Sequence, residues 1–180
     1  MRSAELDRIE RVHAIVQIGH VELRDADLPI VQAYTLLLAS QFQGFCRDLH
    51  SECVHRLLRR ARPARFRPTL QTALVSGRKL DRGTPNPANI GSDFSRLGLR
   101  FWGAVDQQDA RNPSNRRRIE EMCGWRNAIA HQDFDRADLS PRLLALRVVQ
   151  GWRTACEELA DTFDAVLARY VESVTREVPW

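Results

Sequence analysis

Residues 27–58 read DLPIVQAYTLLLASQFQGFCRDLHSECVHRLL, and their apolar positions decide the fold class. Val31, Tyr34, Leu38, Phe42, Phe45, Leu49, Val54 and Leu57 recur three to five residues apart, close to the period of one helix face. Asp27 suits an N-cap and Pro29 a first helical turn, where a missing N–H is harmless. Pro63 stops the segment, because its ring and absent N–H cannot extend a helix. A helix of about thirty residues is roughly 50 Å long at 1.5 Å per residue.

Similar patterns lie on either side. Leu6, Ile9, Val12, Val16 and Leu23 predict a helix from about Ala4 to Arg24. Asn112-Pro113 reads as an N-cap and N1 pair opening a helix through Ile119, Met122 and Trp125 towards His131. Ser140-Pro141 opens another by the same logic, with Leu144, Val148, Trp152, Cys156, Leu159, Phe163, Val166, Tyr170 and Val174 on one face. The middle is less regular. Thr69 to Leu80 predicts a short helix closed by Asp81-Arg82-Gly83, Thr84 to Asn89 reads as a loop, and a further short helix is expected from Ser92 or Asp93 to Trp102. No segment alternates with the period of a strand, and nothing repeats. The expectation is an all-α bundle of four main helices plus one or two short ones, forming one domain over residues 1–180.

Composition narrows the function classes. At 43% hydrophobic and 28% charged, the chain reads as globular rather than disordered. No uncharged apolar run approaches the ~18 residues of a membrane span, and the N-terminus lacks the apolar core of a secretory signal. Cys46, Cys53, Cys123 and Cys156 form no C-x-x-C pair and sit in helical patterns, as buried free thiols do in a reducing cytoplasm. The net charge of +4 is carried mostly by arginine. It fits a nucleic-acid partner, and equally the codon usage of a GC-rich genome. Cys46, His50 and Cys53 have the spacing of three zinc ligands on one helix face, but no fourth ligand follows, and such cysteines are usually core. No metal or cofactor is therefore expected. Arg56, Arg59, Arg60, Arg62, Arg65 and Arg67 form one basic group and Arg116, Arg117 and Arg118 another. Either could track an RNA backbone or be a solvated helix face. Phosphate-binding and nucleophile-elbow motifs are absent.

The segment that carries chemistry is CGWRNAIAHQDF, residues 123–134. Arg126 and His131 are five residues apart, with Asn127 directly after the arginine. On a regular helix, residues four apart share a face and residues five apart diverge by about 140°. Asn127 and His131 therefore share a stripe that Arg126 leaves. Arg126 and His131 serve one site if the helix ends or distorts before His131, or if a second copy completes it across an isologous interface. The residue types suit phosphodiester transesterification of RNA. Histidine can take the proton of a ribose 2′-OH, arginine can hold the phosphate as charge grows, and asparagine can orient either. Trp125 reads as core, or as a ring that stacks on a base. The non-catalytic alternative is a C-terminal arginine cap beside a histidine favoured by the helix dipole.

The run Arg126-Asn127-Ala128-Ile129-Ala130-His131 resembles the R-x(4–6)-H signature of the HEPN superfamily. The resemblance implies a small helical bundle that forms a homodimer. It implies a metal-independent endoribonuclease of toxin or anti-phage type, with Arg126, Asn127 and His131 catalytic, RNA as substrate and an antitoxin protein as a possible partner. It also leaves open a degenerate HEPN domain that dimerises or binds RNA without cleaving it. Residues 33–49, AYTLLLASQFQGFCRDL, resemble the long helix of the RiboL-PSP branch, with Gln43 where members often carry glutamate. His131 is followed by Gln132-Asp133-Phe134 rather than by an H-x-Y pattern, so regulation through a modified tyrosine is not implied.

Overall fold

The computed structural model describes residues 3–18, 27–135, 139–140 and 143–177. Seven α-helices lie within them: α1 (Ser3–Ile18), α2 (Asp27–Arg59), α3 (Arg67–Val75), α4 (Pro87–Ser95), α5 (Phe101–Gln108), α6 (Asn112–His131) and α7 (Leu146–Thr175), with single 3-10 turns at Ala64–Phe66 and Lys79–Asp81. There is no strand among the described residues. The fold is the all-α bundle expected, with three short helices between the long ones.

Side-chain pairs give the helix directions. Tyr34 on α2 donates to Glu10 on α1, and Arg153 on α7 pairs with Asp7, Glu10 and Glu157 at 2.7–3.0 Å. Further along, the Phe42 and Phe163 rings pack at 6.2 Å, and Arg60 pairs with Glu177 just beyond the two helix ends. α2 and α7 therefore run parallel. α6 runs against α7: Trp152 Nε1 donates to Glu121 at 3.2 Å, and Asn115 Nδ2 donates to Glu158 at 2.6 Å. α1 is antiparallel to α2, with His13 Nε2 2.5 Å from Asp27 Oδ1. Between the long helices a single core contains Phe42, Phe94, Phe101, Trp152 and Phe163, all essentially without exposure. Burying side chains of this size contributes about 1.5–3 kcal/mol each before entropy is counted.

The chain departs from the sequence reading where backbone chemistry overrides periodicity. The predicted 69–80 helix ends at Val75, because Gly77 takes φ 71 and turns Arg78 inward. Pro87, read as loop, opens α4 instead. Asn86 is its N-cap and accepts the Asn89 N–H at 2.8 Å. The single helix expected up to Trp102 splits into α4 and α5 around Gly98, at φ 89. Asn112 does not cap α6. It is 1% exposed and donates to the Val105 carbonyl at 2.7 Å, while Asp109 accepts the Arg111 N–H nearby. α7 starts at Leu146 rather than at Ser140-Pro141; Pro141 lies outside the described residues, as do Leu23 and Arg24 of the first predicted helix.

Candidate active site

α6 owes its clean end to a cap. Gln132 adopts the left-handed conformation at φ 53, ψ 36, and its N–H reaches the Ile129 carbonyl while the Asp133 N–H reaches Ala128 at 3.0 Å. This is the double hydrogen bond of a Schellman motif, usually built on glycine. Here the Gln132 side chain helps, its Nε2 donating to the Ile129 carbonyl at 2.7 Å. The helix therefore stays regular through His131, which removes the first of the two ways to bring Arg126 and His131 together.

The motif residues surround that end. Arg126 is half-buried and donates from Nη1 to Asn127 Oδ1 at 3.1 Å. Asn127 and His131 are exposed on one stripe, with Gly124 one turn before Asn127, and no described residue bonds the His131 imidazole. One chain thus presents an arginine–asparagine pair and, about a turn further on, a separate imidazole. On their own they form an open surface of hydrogen-bond donors and an imidazole, not a closed catalytic cleft.

Trp125, in contrast, is 4% exposed and belongs to the core, so it cannot stack on a base. Arg116 is committed within the chain: its Nη1 is 3.0 Å from Asp106, and its guanidinium lies 5.1 Å above the Trp102 ring. Arg117 and Arg118 are exposed, but about 20 Å from His131 along a regular helix. They cannot touch the phosphate that His131 touches.

Behind the motif residues lies a polar framework that the sequence pattern did not reveal. Gln43 on α2 donates from Nε2 to the Leu80 and Gly83 carbonyls at 2.6 and 2.8 Å. Only an amide donor can do this; a glutamate carboxylate has no proton to give. The clamped connector carries Thr84, whose hydroxyl sits beside the Cys123 thiol one turn before Arg126. The same connector is fixed by Asp93, which accepts the Lys79 and Leu80 N–H groups at 2.9 and 2.8 Å. Arg78, 8% exposed, bonds Asp81, Ser51 and the Arg47 carbonyl, and its Nη1 lies 3.4 Å from His50 Nδ1. His50 Nε2 meets the Asp93 carbonyl at 3.1 Å. An arginine only donates and a carbonyl only accepts, so His50 is neutral with its proton on Nε2. Burial, then the Arg78 charge, pushes its pKa down to about 4.

Three residues with zinc-ligand spacing lie in the same buried region. Cys46, His50 and Cys53 are all at 0% exposure, and no described group of His, Cys, Asp and Glu is arranged to hold a metal ion. Burial lifts the Cys53 and Cys123 thiols to about 12 and also raises those of Cys46 and Cys156, as inert core thiols behave. No described helix is long and apolar enough to cross a membrane. Comparison with family models, with curated proteins and with solved structures finds no match for this chain.

Proposed function

We propose that this chain is a metal-independent endoribonuclease of the HEPN type that works as a homodimer. The observation that carries the reading is the end of α6: Arg126 joined to Asn127, with an unengaged, exposed His131 on a helix that stays regular to its cap. Because the helix does not bend Arg126 towards His131, a complete site needs the same helix end from a second copy. A two-fold interface supplies exactly one such repeat. Gly124, partly exposed one turn before Asn127, has open space where a side chain would stand, which leaves room for close approach there.

The reaction assigned to the site needs no group outside the chain and its RNA. One His131 removes the 2′-OH proton, and the 2′-oxygen attacks the adjacent phosphorus. Arg126, positioned by Asn127, binds the non-bridging oxygens as their charge grows. The bond to the 5′-oxygen breaks, and the partner copy's imidazole protonates that leaving group. The products are a 2′,3′-cyclic phosphate and a 5′-hydroxyl. An RNase of this kind in a cell calls for restraint, which fits a toxin or anti-phage effector held by an antitoxin protein.

The test is cleavage of RNA by the purified chain in excess EDTA, beside Arg126→Ala and His131→Ala. Cyclic-phosphate ends formed by wild type and lost in both variants support the assignment. Equal activity in all three, or none with any RNA, removes it.

A further inference from the structure

At the far end of α2 the chain carries a second concentration of charge that the α6 site does not use. Between Glu52 and Asp81 the sequence holds eight cationic residues and no carboxylate. Some of these are spoken for: Arg56 pairs with Glu52, Arg60 with Glu177, and Arg78 with Asp81. Arg59, Arg62 and Arg65 are exposed and form no ion pair among the described residues. Among them stands Phe66, 48% exposed, with the Arg65 guanidinium 5.0 Å from its ring centroid. A large ring left in water amid unpaired guanidiniums has no role in the core.

The turn that displays these groups is held from both sides. Ala61 and Phe66 donate N–H groups to the Leu58 and Pro63 carbonyls at 3.0 and 3.1 Å. Arg67 Nε reaches the Ala61 carbonyl at 3.2 Å, and Arg96 holds the Ala73 and Ser76 carbonyls at the end of α3. The patch is therefore preorganised, which lowers the ordering cost of binding.

We infer that this turn is a binding surface for single-stranded polynucleotide, with Arg59, Arg62 and Arg65 on phosphates and Phe66 stacked under an unpaired base. Guanidiniums bind phosphate by a planar fork, and an aromatic ring accepts any base that is not already paired. A lipid surface fits less well. Phe66, Leu70 and Ala73 form a short exposed apolar stripe, but α3 carries no cation after Arg67 and its polar side is Thr69, Gln71 and Thr72, unlike the lysine- and arginine-rich polar face of a helix that lies on lipid. The surface stands independently of the α6 assignment: Arg59 is about 24 Å along α2 from Gln43, away from the end where His131 lies.

Fluorescence anisotropy with labelled fifteen-residue oligo-U and oligo-dT tests it, using the full chain at about 50 and 200 mM salt. The variants are the triple Arg59→Glu, Arg62→Glu, Arg65→Glu and the single Phe66→Ala, with the far-ultraviolet melt of each compared to wild type. The triple variant is expected to lose at least tenfold in affinity, with the salt slope reduced by about 2, since each phosphate contact on a single strand contributes about 0.7. Phe66→Ala is expected to lose about fivefold or more, the lower end of a base stack. Gln107→Ala, exposed on α5 and part of neither site, is expected to bind like wild type, and oligo-dT, which has no 2′-OH to attack, reads binding whether or not the chain cleaves RNA. Oligo-U bound better than oligo-dT assigns the surface to RNA; equal binding assigns it to either strand. Unchanged affinity in the triple or the Phe66 variant overturns the inference. So does binding to phosphatidylserine-containing vesicles without binding to either oligonucleotide.

Discussion

Two arginine–histidine combinations in the described chain behave oppositely. Arg78 and His50 are both buried, 3.4 Å apart, and every neighbour is a matched donor or acceptor: Asp81, Ser51, the Arg47 carbonyl and the Asp93 carbonyl. Arg126, half-buried, and His131, exposed, sit near a helix end, and their one internal hydrogen bond joins Arg126 to its neighbour Asn127. The same residue types make a structural lock in one place and an accessible surface group in the other. What separates them is solvent. Burial without a matched partner is costly for a polar group, so a buried cluster must be satisfied and is then unavailable. An exposed group remains free to exchange protons and bind anions.

Variants can break that contrast, and the largest effect is expected on the buried side. Asp93→Ala orphans the Lys79 and Leu80 N–H groups inside the fold. It should lower unfolding free energy by about 3–5 kcal/mol, read from the urea midpoint. The exposed side should respond in the reverse sense. Arg126→Ala or His131→Ala should reduce RNA cleavage by about 10²-fold or more while moving the thermal midpoint little, because surface substitutions usually shift stability by less than about 0.5 kcal/mol.

Proton binding sharpens the comparison next. His50 has a folded value of about 4 against 6.5 in the unfolded chain. Between those values the unfolded state binds a proton that the folded state refuses, so stability rises with pH across that window. Stability should be complete above about pH 6.5 and fall by about 2 kcal/mol at pH 5. Urea titrations at pH 5 and 7.5 should show this slope in wild type and in His131→Ala, and should show it largely gone in His50→Asn, which is less stable at both.

Gln43→Glu should destabilise the chain by about 1–3 kcal/mol, since two carbonyls lose their donor and face a carboxylate. A neutral result in chemical denaturation would mean that the connector does not depend on the clamp. The smallest effect is expected at Gly124→Ala. Nothing lies near the added methyl, so the isolated fold should gain up to about 1 kcal/mol from helix propensity. Cleavage that falls in this more stable variant would place Gly124 at the contact between copies.

How much could be read in advance differs between elements for definite reasons. α2 and α7 are long and strongly periodic, so spacing alone found most of their buried faces: Val31, Tyr34, Leu38, Phe42, Leu49 and Val54, and Trp152, Cys156, Leu159, Phe163 and Val166. Towards the ends the spacing slipped by one residue, with Leu58, Val149 and Val171 buried beside the expected Leu57, Val148 and Tyr170, and Val174 left exposed. The short helices were not, because Gly77, Gly98 and Asn86 act through local backbone conformation that a moving apolar pattern does not record. At the candidate site, the identities of Arg126, Asn127 and His131 were legible as a motif. Arg116 and Trp125 each carried an RNA-contact reading beside a structural one, and local pairing and burial removed the former.

The order of residues by itself determined that this chain is helical, where its long helices lie, and which three side chains gather at the end of the sixth. Each of these rests on short-range spacing, which the 3.6-residue period converts directly into shared faces. Only the tertiary structure decided that His50 is a neutral core histidine, that Gln43 grips a connector 37–40 residues away, and that α6 stays regular up to a left-handed Gln132. Those outcomes depend on which distant donors, acceptors and solvent surround each group, and sequence separation carries no information about that surrounding.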